Sequence, residues 1–208
     1  AEKPEWLERV WQRIREEVAA GHQAYVVCPW IGAELTETEA DLDAQLGASV
    51  LPDDVPARRP PLAVVDILAM LTDGPLHGLR LAALHGRLAP EDKDDAMARF
   101  GAGEVDVLVS TTVVEVGVDV PNATVMVVLD AERFGVSQLH QRRGRIGRGG
   151  AAGLCLLVSD VPQGTPSRQR LDAVAATTDG FELARLDLEQ RREGDGIGAA
   201  QSGRRSQL

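Results

Sequence analysis

The chain has 208 residues, a length that suits one substantial domain with an appendage or two small domains and excludes a large multidomain enzyme. With 44% hydrophobic and 26% charged residues, its composition is that of a globular protein rather than a disordered one. No apolar run approaches the ~18 residues of a membrane span, and the charged, helix-patterned start is unlike a secretory signal. We therefore expect no membrane contact and a cytoplasmic location, while the missing initiator Met suggests a fragment or a processed chain.

The net charge of −10 by itself argues against a nucleic-acid binder, whose binding domain usually carries a basic face. The charges are, however, unevenly distributed along the chain. Residues 33–54 carry seven acids and no base, whereas residues 133–159 carry five arginines and no acid. A local anion-binding site can therefore exist on a predominantly acidic protein.

Apolar periodicity and β-branched runs predict the secondary structure. Helical spacing over residues 4–20 predicts a first helix that ends at Gly21 and places Trp6 and Trp11 in the core. Residues 33–60 are acidic and end in a proline-rich stretch, which predicts a loop. The other elements expected are strands at 24–30, 79–85, 105–111, 123–130 and 153–159, and helices at 61–71, 90–100, 138–141, 167–177 and 181–192.

The alternation of strands and helices indicates right-handed βαβ units, and hence an α/β fold with a parallel sheet covered by helices on both faces. Ligands of such sheets bind at the carboxyl ends of the strands, so we expect the chemically unusual residues to meet at that edge. Cys28 and Cys155 lie inside apolar strands and are expected to be reduced core residues, with a disulfide between them as the lesser alternative. We expect one domain over residues 1–160 and a smaller unit over residues 161–208.

The strongest local signal is QLHQRRGRIGRGG at residues 138–150, where Arg142, Arg145 and Arg148 alternate with Gly144 and Gly147. Glycines let backbone and guanidinium groups approach a ligand closely, and arginine is suited to a bidentate grip on phosphate. A solvated basic loop that binds RNA nonspecifically is the alternative. Because the tract lies between two predicted strands, unlike the Arg-Gly tracts of disordered tails, the pattern favours a phosphate site.

Four motifs in this order resemble those of one enzyme superfamily. QRRGRIGR resembles motif VI of superfamily 2 helicases and translocases, STTVVEVGVDVPNA resembles motif V, AYVVCPWI resembles motif IV, and LHGRL resembles the strand-end motif that follows motif IV. The resemblance implies a second RecA-like motor domain, which is a parallel sheet flanked by helices, followed by a C-terminal helical hairpin and an extended tail.

The tail DLEQRREGDGIGAAQSGRR, at residues 187–205, resembles the motif that follows the motor in RecG-like branched-DNA translocases and in transcription-repair coupling translocases. Its QSGRR ending favours the RecG-like group, although Arg192 stands where that family commonly has glycine. The resemblance implies a translocation motif that couples domain closure to movement along DNA. The residues of this coupling motif are Arg191, Arg192, Gly194, Gly198 and Gln201. A helical hairpin that packs on the motor domain would equally well explain the apolar residues that precede this motif.

The resemblance also implies roles for residues of motifs V and VI. Charge accumulates on the γ-phosphoryl oxygens during phosphoryl transfer, and an arginine delivered from a neighbouring domain contributes ~10³–10⁵ in rate. Arg145 and Arg148 match the family's arginine fingers, and Gln141 matches the residue that senses the γ-phosphate or the attacking water. The motif V positions near the nucleotide or linked to coupling are Gly117, Asp119 and Glu115. The alternative for Asp119 is a turn residue before a proline, and the alternative for Glu115 is a surface carboxylate.

DNA contacts are expected from loop residues at the strand ends. Thr111 and Thr112 can donate hydroxyl hydrogen bonds to phosphates, and such contacts position a strand without reading its sequence. His85 and Arg87 lie at an equivalent strand end, with a core or capping histidine as an equal alternative for His85. His140 is expected to be structural.

No G-x-x-x-x-G-K-[ST] phosphate loop and no Asp-Glu pair after an apolar strand occur in the sequence. The resemblance assigns those parts, which bind most of ATP and Mg²⁺, to a first RecA-like motor domain outside the chain, and no metal ligands are expected within it. We therefore expect an enzyme only in the full-length ATP-dependent DNA helicase and an inactive isolated fragment. The expected partners are branched or duplex DNA and the first motor domain, in a monomeric, nucleoid-associated bacterial protein.

The resulting hypothesis is the C-terminal motor half of a RecG-like helicase acting in DNA recombination and repair, through fork reversal and Holliday junction branch migration. Two alternatives stay open: the motor domain of a transcription-repair coupling translocase, and a nonenzymatic nucleic-acid-binding module that retains the fold.

Overall fold

The computed structural model describes residues 3–31, 62–111, 120–147 and 152–177. The elements in these ranges follow the predicted order of helices and strands. They are α1 Lys3–Ala19, β1 Gln23–Val27, α2 Val64–Asp73, β2 Leu81–Leu84, α3 Pro90–Gly101, β3 Val107–Ser110, β4 Ala123–Val128, a 3-10 turn Ala131–Arg133, α4 Val136–Arg143, β5 Leu154–Leu157 and α5 Pro166–Ala176.

The five strands form one parallel sheet in the order β2-β3-β1-β4-β5. Every residue of β1, β3 and β4 is buried, which explains their continuous apolar sequences, whereas the edge strands β2 and β5 are partly exposed. β1 lies at the centre of the sheet, with β3 on one side and β4 on the other. The predicted α/β architecture is confirmed.

Helices cover both faces of the sheet and enclose two apolar clusters. On one face α1 and α2 contribute Ile14 and Leu71, and on the other α3, α4 and α5 contribute Phe100, Leu139 and Leu171. Burial of a side chain such as Phe100 contributes roughly 1.5–3 kcal/mol. These two layers hold the strand ends, and with them the candidate site residues that the structure describes at those ends.

The prediction for the two tryptophans of α1 is half wrong. Trp11 is 4% exposed and lies in the core, but Trp6 is 76% exposed. One residue turns an α-helix by about 100°, so Trp6 points well away from its neighbour Leu7, which packs on the sheet. The end of α1 agrees with the prediction, because Gly21 has φ +89° and stops the helix.

Both cysteines have free thiols, as predicted. Cys28 belongs to the cluster under α1 and α2, whereas Cys155 packs against the cluster on the opposite face, so the alternative of a disulfide is excluded. Burial raises the pKa of Cys28 to about 12 and that of Cys155 to about 11. Both thiols therefore stay protonated at neutral pH.

The helix predicted at residues 167–177 is α5, which packs on α4 and on the 3-10 turn. The helix predicted at 181–192 and the glycine-punctuated tail lie outside the described residues, and the domain boundary at residue 160 stays a prediction. In the portion of the chain that is described, none of the helices has the length and apolar character of a membrane span.

Candidate functional site

The arginine-rich motif forms α4 and the turn that follows it. The backbone N–H of Gly135 donates to the side-chain oxygen of Gln138 at 3.1 Å, which starts the helix two residues earlier than predicted. The inward face is buried, whereas Gln141 is exposed. At the other end Gly144 N–H donates to His140 C=O at 3.2 Å and Arg145 N–H donates to Arg142 C=O at 2.9 Å. Gln141 and Arg145 are thus held on one short segment.

This turn lies at the amino end of β4. Gly147, with φ +73°, donates its N–H to the carbonyl of Ala123, the first residue of β4, at 3.2 Å. The expectation that all the unusual residues meet at the carboxyl edge is therefore wrong for Arg145 and Gln141. The reason is geometric: α4 follows β4 and runs back along the sheet, so its C-terminal end returns to the start of the strand.

Arg143 connects the motif helix to α5. Its Nη1 donates to the carbonyl of Val174 at 2.7 Å, and its Nη2 lies 3.2 Å from Nδ1 of His140. A second arginine, Arg170 of α5, donates to the carbonyl of Glu132 at 2.7 Å. His140 is therefore structural in this arrangement, as expected. α5 is hydrogen-bonded both to the last residue of α4 and to the 3-10 turn that precedes α4.

Arg142 differs from its neighbours because it is buried. It is 8% exposed, and its guanidinium carbon lies 4.4 Å from the centre of the Phe134 ring. Burial lowers its pKa to about 10. From the sequence, Arg142 was predicted only as one of the phosphate-binding arginines, with no role of its own. Its spacing of three and six residues from Leu139 and Val136 was the signal for an inward position.

The residues predicted to contact DNA lie at the opposite, carboxyl edge of the sheet. Leu84 of β2 and Ser110 of β3 are paired, so the residues that follow them, His85 and Thr111, are neighbours. Thr111 N–H donates to Leu84 C=O at 3.3 Å. Arg87 is exposed in the turn after β2. The structure therefore brings His85, Arg87 and Thr111 together at one edge and places Gln141 and Arg145 at the other.

Burial limits what the residues at the carboxyl edge can contact. Thr111 is 3% exposed and Ser110 is fully buried, and neither hydroxyl has a hydrogen-bond partner within the described ranges. Nδ1 of the half-buried His85 is also unpartnered there, and its pKa is lowered by burial and by the nearby charges of Arg87 and Lys93. A DNA strand at this edge would therefore meet Arg87 before the Thr111 hydroxyl. Ser110 was not predicted as a site residue. The available signal was that it is the polar residue at the end of the otherwise apolar strand VLVS.

Two buried carboxylates follow β4 and were not predicted as site residues. Asp130 has φ +49°, a left-handed conformation unusual for a residue other than glycine, and its Oδ2 accepts the N–H of Leu62 at 3.1 Å. Glu132 is 5% exposed, its Oε2 has no partner among the described residues, and burial raises its pKa. The strand predicted at 123–130 ended in the carboxylate of Asp130, but nothing in the sequence pattern indicated that this residue is buried and has a positive φ.

The remaining predicted site residues lie outside the described residues, and their roles stay predictions. They are Thr112, Glu115, Gly117, Asp119, Arg148, Arg191, Arg192, Gly194, Gly198 and Gln201. Within the described ranges no group of three or more His, Cys, Asp or Glu side chains is placed to hold a metal ion.

Comparison with known proteins agrees with this architecture. Residues 62–150 match the family described as the helicase conserved C-terminal domain. The chain is 57% identical over 203 residues to the ATP-dependent DNA helicase RecG of Mycobacterium tuberculosis, covering 98% of this chain and 26% of that protein. It is 41% identical over 201 residues to RecG of Bacillus subtilis, covering 97% and 26%. A structure of RecG bound to a three-way DNA junction superposes with a TM-score of 0.64 at 37% identity, over 89% of this chain and 21% of that one. The chain thus spans about a quarter of the length of these relatives.

Proposed function

Because the chain belongs to the RecG-like helicases, we propose that it is the C-terminal motor half of an ATP-dependent branched-DNA helicase. In the full-length protein it would act in DNA recombination and repair, reversing forks and migrating Holliday junctions in the nucleoid of a bacterial cell. A first RecA-like motor domain and branched or duplex DNA are its partners in this proposal. The isolated chain would be inactive because it has no phosphate loop.

The observation that carries this proposal is the fixed turn around Arg145. The turn is pinned at one end to α4 through Gly144 and at the other to β4 through Gly147. The surrounding stretch, residues 133–159, has five arginines and no acid. A half-buried guanidinium on such a rigid, acid-free turn suits an anion presented by another domain.

These residues fit ATP as a ligand shared with a second domain. Bound ATP, with Mg²⁺ on its phosphates, would supply the γ-phosphoryl group that is transferred to water. Arg145 neutralises the negative charge that develops on that group, and the exposed Gln141 on the preceding helical turn is available to orient the phosphate or the attacking water. The pinned backbone keeps the guanidinium in place, so little reorganisation is needed when the domains close.

The carboxyl edge provides the contacts to DNA in this proposal. Arg87 is exposed there, and Lys93 fixes the turn by donating to the carbonyl of Gly86 at 2.8 Å. Contacts of this kind bind the phosphate backbone without regard to sequence. The chain would thus hold DNA at one edge of the sheet and the nucleotide at the other.

The test is Arg145→Ala in the full-length protein, assayed for DNA-stimulated ATP hydrolysis. We expect kcat to fall by about 10³-fold, the range of a lost arginine finger. Arg99→Ala is the matched control, since Arg99 is an exposed arginine of α3 whose surface ion pairs to Asp95 and Glu104, at 3.6 and 3.8 Å, contribute little. Turnover of the Arg145 variant equal to that of the control would refute a motor function and favour a nonenzymatic nucleic-acid-binding module.

A further inference from the structure

The inward face of α4 carries a charged residue where the helical pattern calls for an apolar one. Val136, Leu139 and Arg142 follow one another at intervals of three residues and are 2%, 1% and 8% exposed. The first two are part of the apolar cluster under α4. Amphipathic helices of globular proteins usually keep this face apolar throughout. Arg142 therefore breaks a local rule at a core position, and such exceptions concentrate at functional sites.

The contacts that the described residues make with Arg142 do not offset the whole cost of burying its charge. Its Nε and Nη1 have no hydrogen-bond partner in the part of the chain that the structure describes. Stacking on the buried Phe134 ring and a position in the last turn of α4 are favourable for a cation, but each offsets only part of the cost of removing a charge from water. An apolar side chain of similar volume at such a position is often neutral or stabilising.

The backbone of Arg142 determines the turn that follows. Its carbonyl accepts the N–H of Gly144, which ends the helix, and the N–H of Arg145 at 2.9 Å. A rotation of the last turn of α4 would therefore move Arg145 directly. The stack on Phe134 opposes such a rotation, because Phe134 is itself fixed in the core just ahead of the helix, at 2% exposure.

We propose that Arg142 is a positioning residue for Arg145: the stack of its guanidinium on Phe134 sets the orientation of the last turn of α4 and, through it, the direction in which Arg145 presents its guanidinium at the amino edge. This inference rests on the proposed function, because it assigns to Arg145 an anionic ligand held there. A planar cation packs on an aromatic face in a defined orientation, whereas a flexible apolar chain fills the same space in several rotamers.

The experiment uses the full-length protein with the variants Arg142→Met and Arg142→Lys, and with Leu139→Met as the matched control on the same buried face. We expect Arg142→Met to lower kcat for DNA-stimulated ATP hydrolysis by about 10- to 100-fold with little change in KM, because a misplaced catalytic group weakens the transition state rather than substrate binding. Its melting temperature should be unchanged or higher. Arg142→Lys, which keeps a cation over the ring, should restore most of the turnover, and Leu139→Met should retain it.

Phe134→Leu removes the other half of the stack and gives an independent measurement. We expect the double variant Phe134→Leu/Arg142→Met to lose no more kcat than Arg142→Met alone, since both changes break one interaction. Additive losses would overturn the proposal. So would wild-type turnover in Arg142→Met, or a loss of turnover accompanied by a lower melting temperature and shared by Leu139→Met, which would assign Arg142 to packing alone.

Arg145→Ala in the same assay separates this inference from the function beneath it. If Arg145→Ala retains turnover, the motor function itself fails and the positioning role fails with it. If Arg145→Ala loses turnover while Arg142→Met keeps it, only the positioning role is wrong.

Discussion

Gly144 and Gly147 flank Arg145 in the same turn but have different backbone requirements. Gly147 has φ +73°, which is costly for a residue with a Cβ, whereas Gly144 has φ −68°. A Cβ added at Gly144 would lie 3.4 Å from the carbonyl oxygen of Gln141, an ordinary contact. The two glycines are therefore unequal in importance, although both belong to the motif.

We predict that Gly147→Ala lowers the free energy of unfolding by about 1 kcal/mol or more, because an L-residue is strained in the left-handed region. Gly144→Ala should leave stability within about 0.5 kcal/mol, as at an unconstrained position. Denaturant unfolding of both variants measures the difference. Equal effects of the two substitutions would contradict the assignment of the positive φ to Gly147.

Glu132 gives a prediction that depends on pH. Its buried carboxyl has a raised pKa, so the folded state disfavours the carboxylate and loses stability as the pH rises from the ordinary glutamate value through the raised one. Glu132→Gln removes this titration. We therefore expect the variant to gain stability relative to the wild type as the pH rises from about 4.3, the ordinary glutamate value, to neutral pH.

Thermal unfolding of Glu132→Gln across this range makes the comparison. Glu104→Gln serves as the control, since the Glu104 side chain is 63% exposed. A stability difference for Glu132→Gln that does not vary with pH would show that the buried carboxyl does not titrate differently in the folded state.

At the scale of the elements, the sequence predicted the centres of helices and strands and missed their ends. The strand predicted at 123–130 stops at Val128, because the backbone turns sharply at Asp130, whose positive φ no periodicity reveals. The helix predicted at 138–141 begins at Val136. The prediction missed this start because a glycine N-cap with a glutamine cap partner is a weak signal in a sequence. Apolar patterns therefore determine which elements form, whereas end caps and single backbone conformations decide where they end.

The contact between α1 and β4 is held by Glu17. Its Oε2 accepts the hydroxyl of Thr124 on β4 at 2.7 Å and lies 2.8 Å from Nδ1 of His22, and Arg13 pairs with its other oxygen. The hydrogen bond from Thr124 is the main cause that lowers the pKa of Glu17, with His22 and Arg13 adding to it. A carboxyl with a lowered pKa stabilises the fold above its ordinary value and loses this contribution as the pH falls through the lowered one.

We expect Glu17→Gln to cost about 0.5–1.5 kcal/mol of stability at neutral pH, the net worth of a hydrogen bond, and the cost to fade as the pH falls below about 4.3. Glu16→Gln is the control, because the surface contacts of Glu16 with Arg9 and Arg13, at 3.5 and 3.3 Å, contribute little. Denaturant unfolding at two pH values decides the matter, and an undiminished cost in acid would argue that Glu17 acts through shape and not charge.

For the whole molecule, the sequence predicted candidate site residues but not the arrangement of those that the structure describes. Arg145 and Arg87 both follow predicted elements, and placing all such residues at the carboxyl edge ignored the direction of α4. A helix that follows a parallel strand returns its C-terminal end to the amino edge, so Arg145 lies near Ala123 whereas Arg87 follows Leu84 at the opposite edge. Burial was missed as well, since Thr111 and Arg142 were expected to bind phosphates and are buried in the fold.

Because the two groups lie at opposite edges, their substitution in the full-length protein should have separable effects. Arg87→Ala removes an exposed cation from the carboxyl edge, so we expect weaker DNA binding and a slope of log K against log salt that is lower by about 1, with KM for ATP unchanged. Arg145→Ala should show the reverse pattern, with lost turnover and an unaltered salt slope. DNA titrations at several salt concentrations, run beside ATPase assays, distinguish the two. A common site at one edge would make each substitution alter both measurements, which is the result that would overturn the two-edge arrangement.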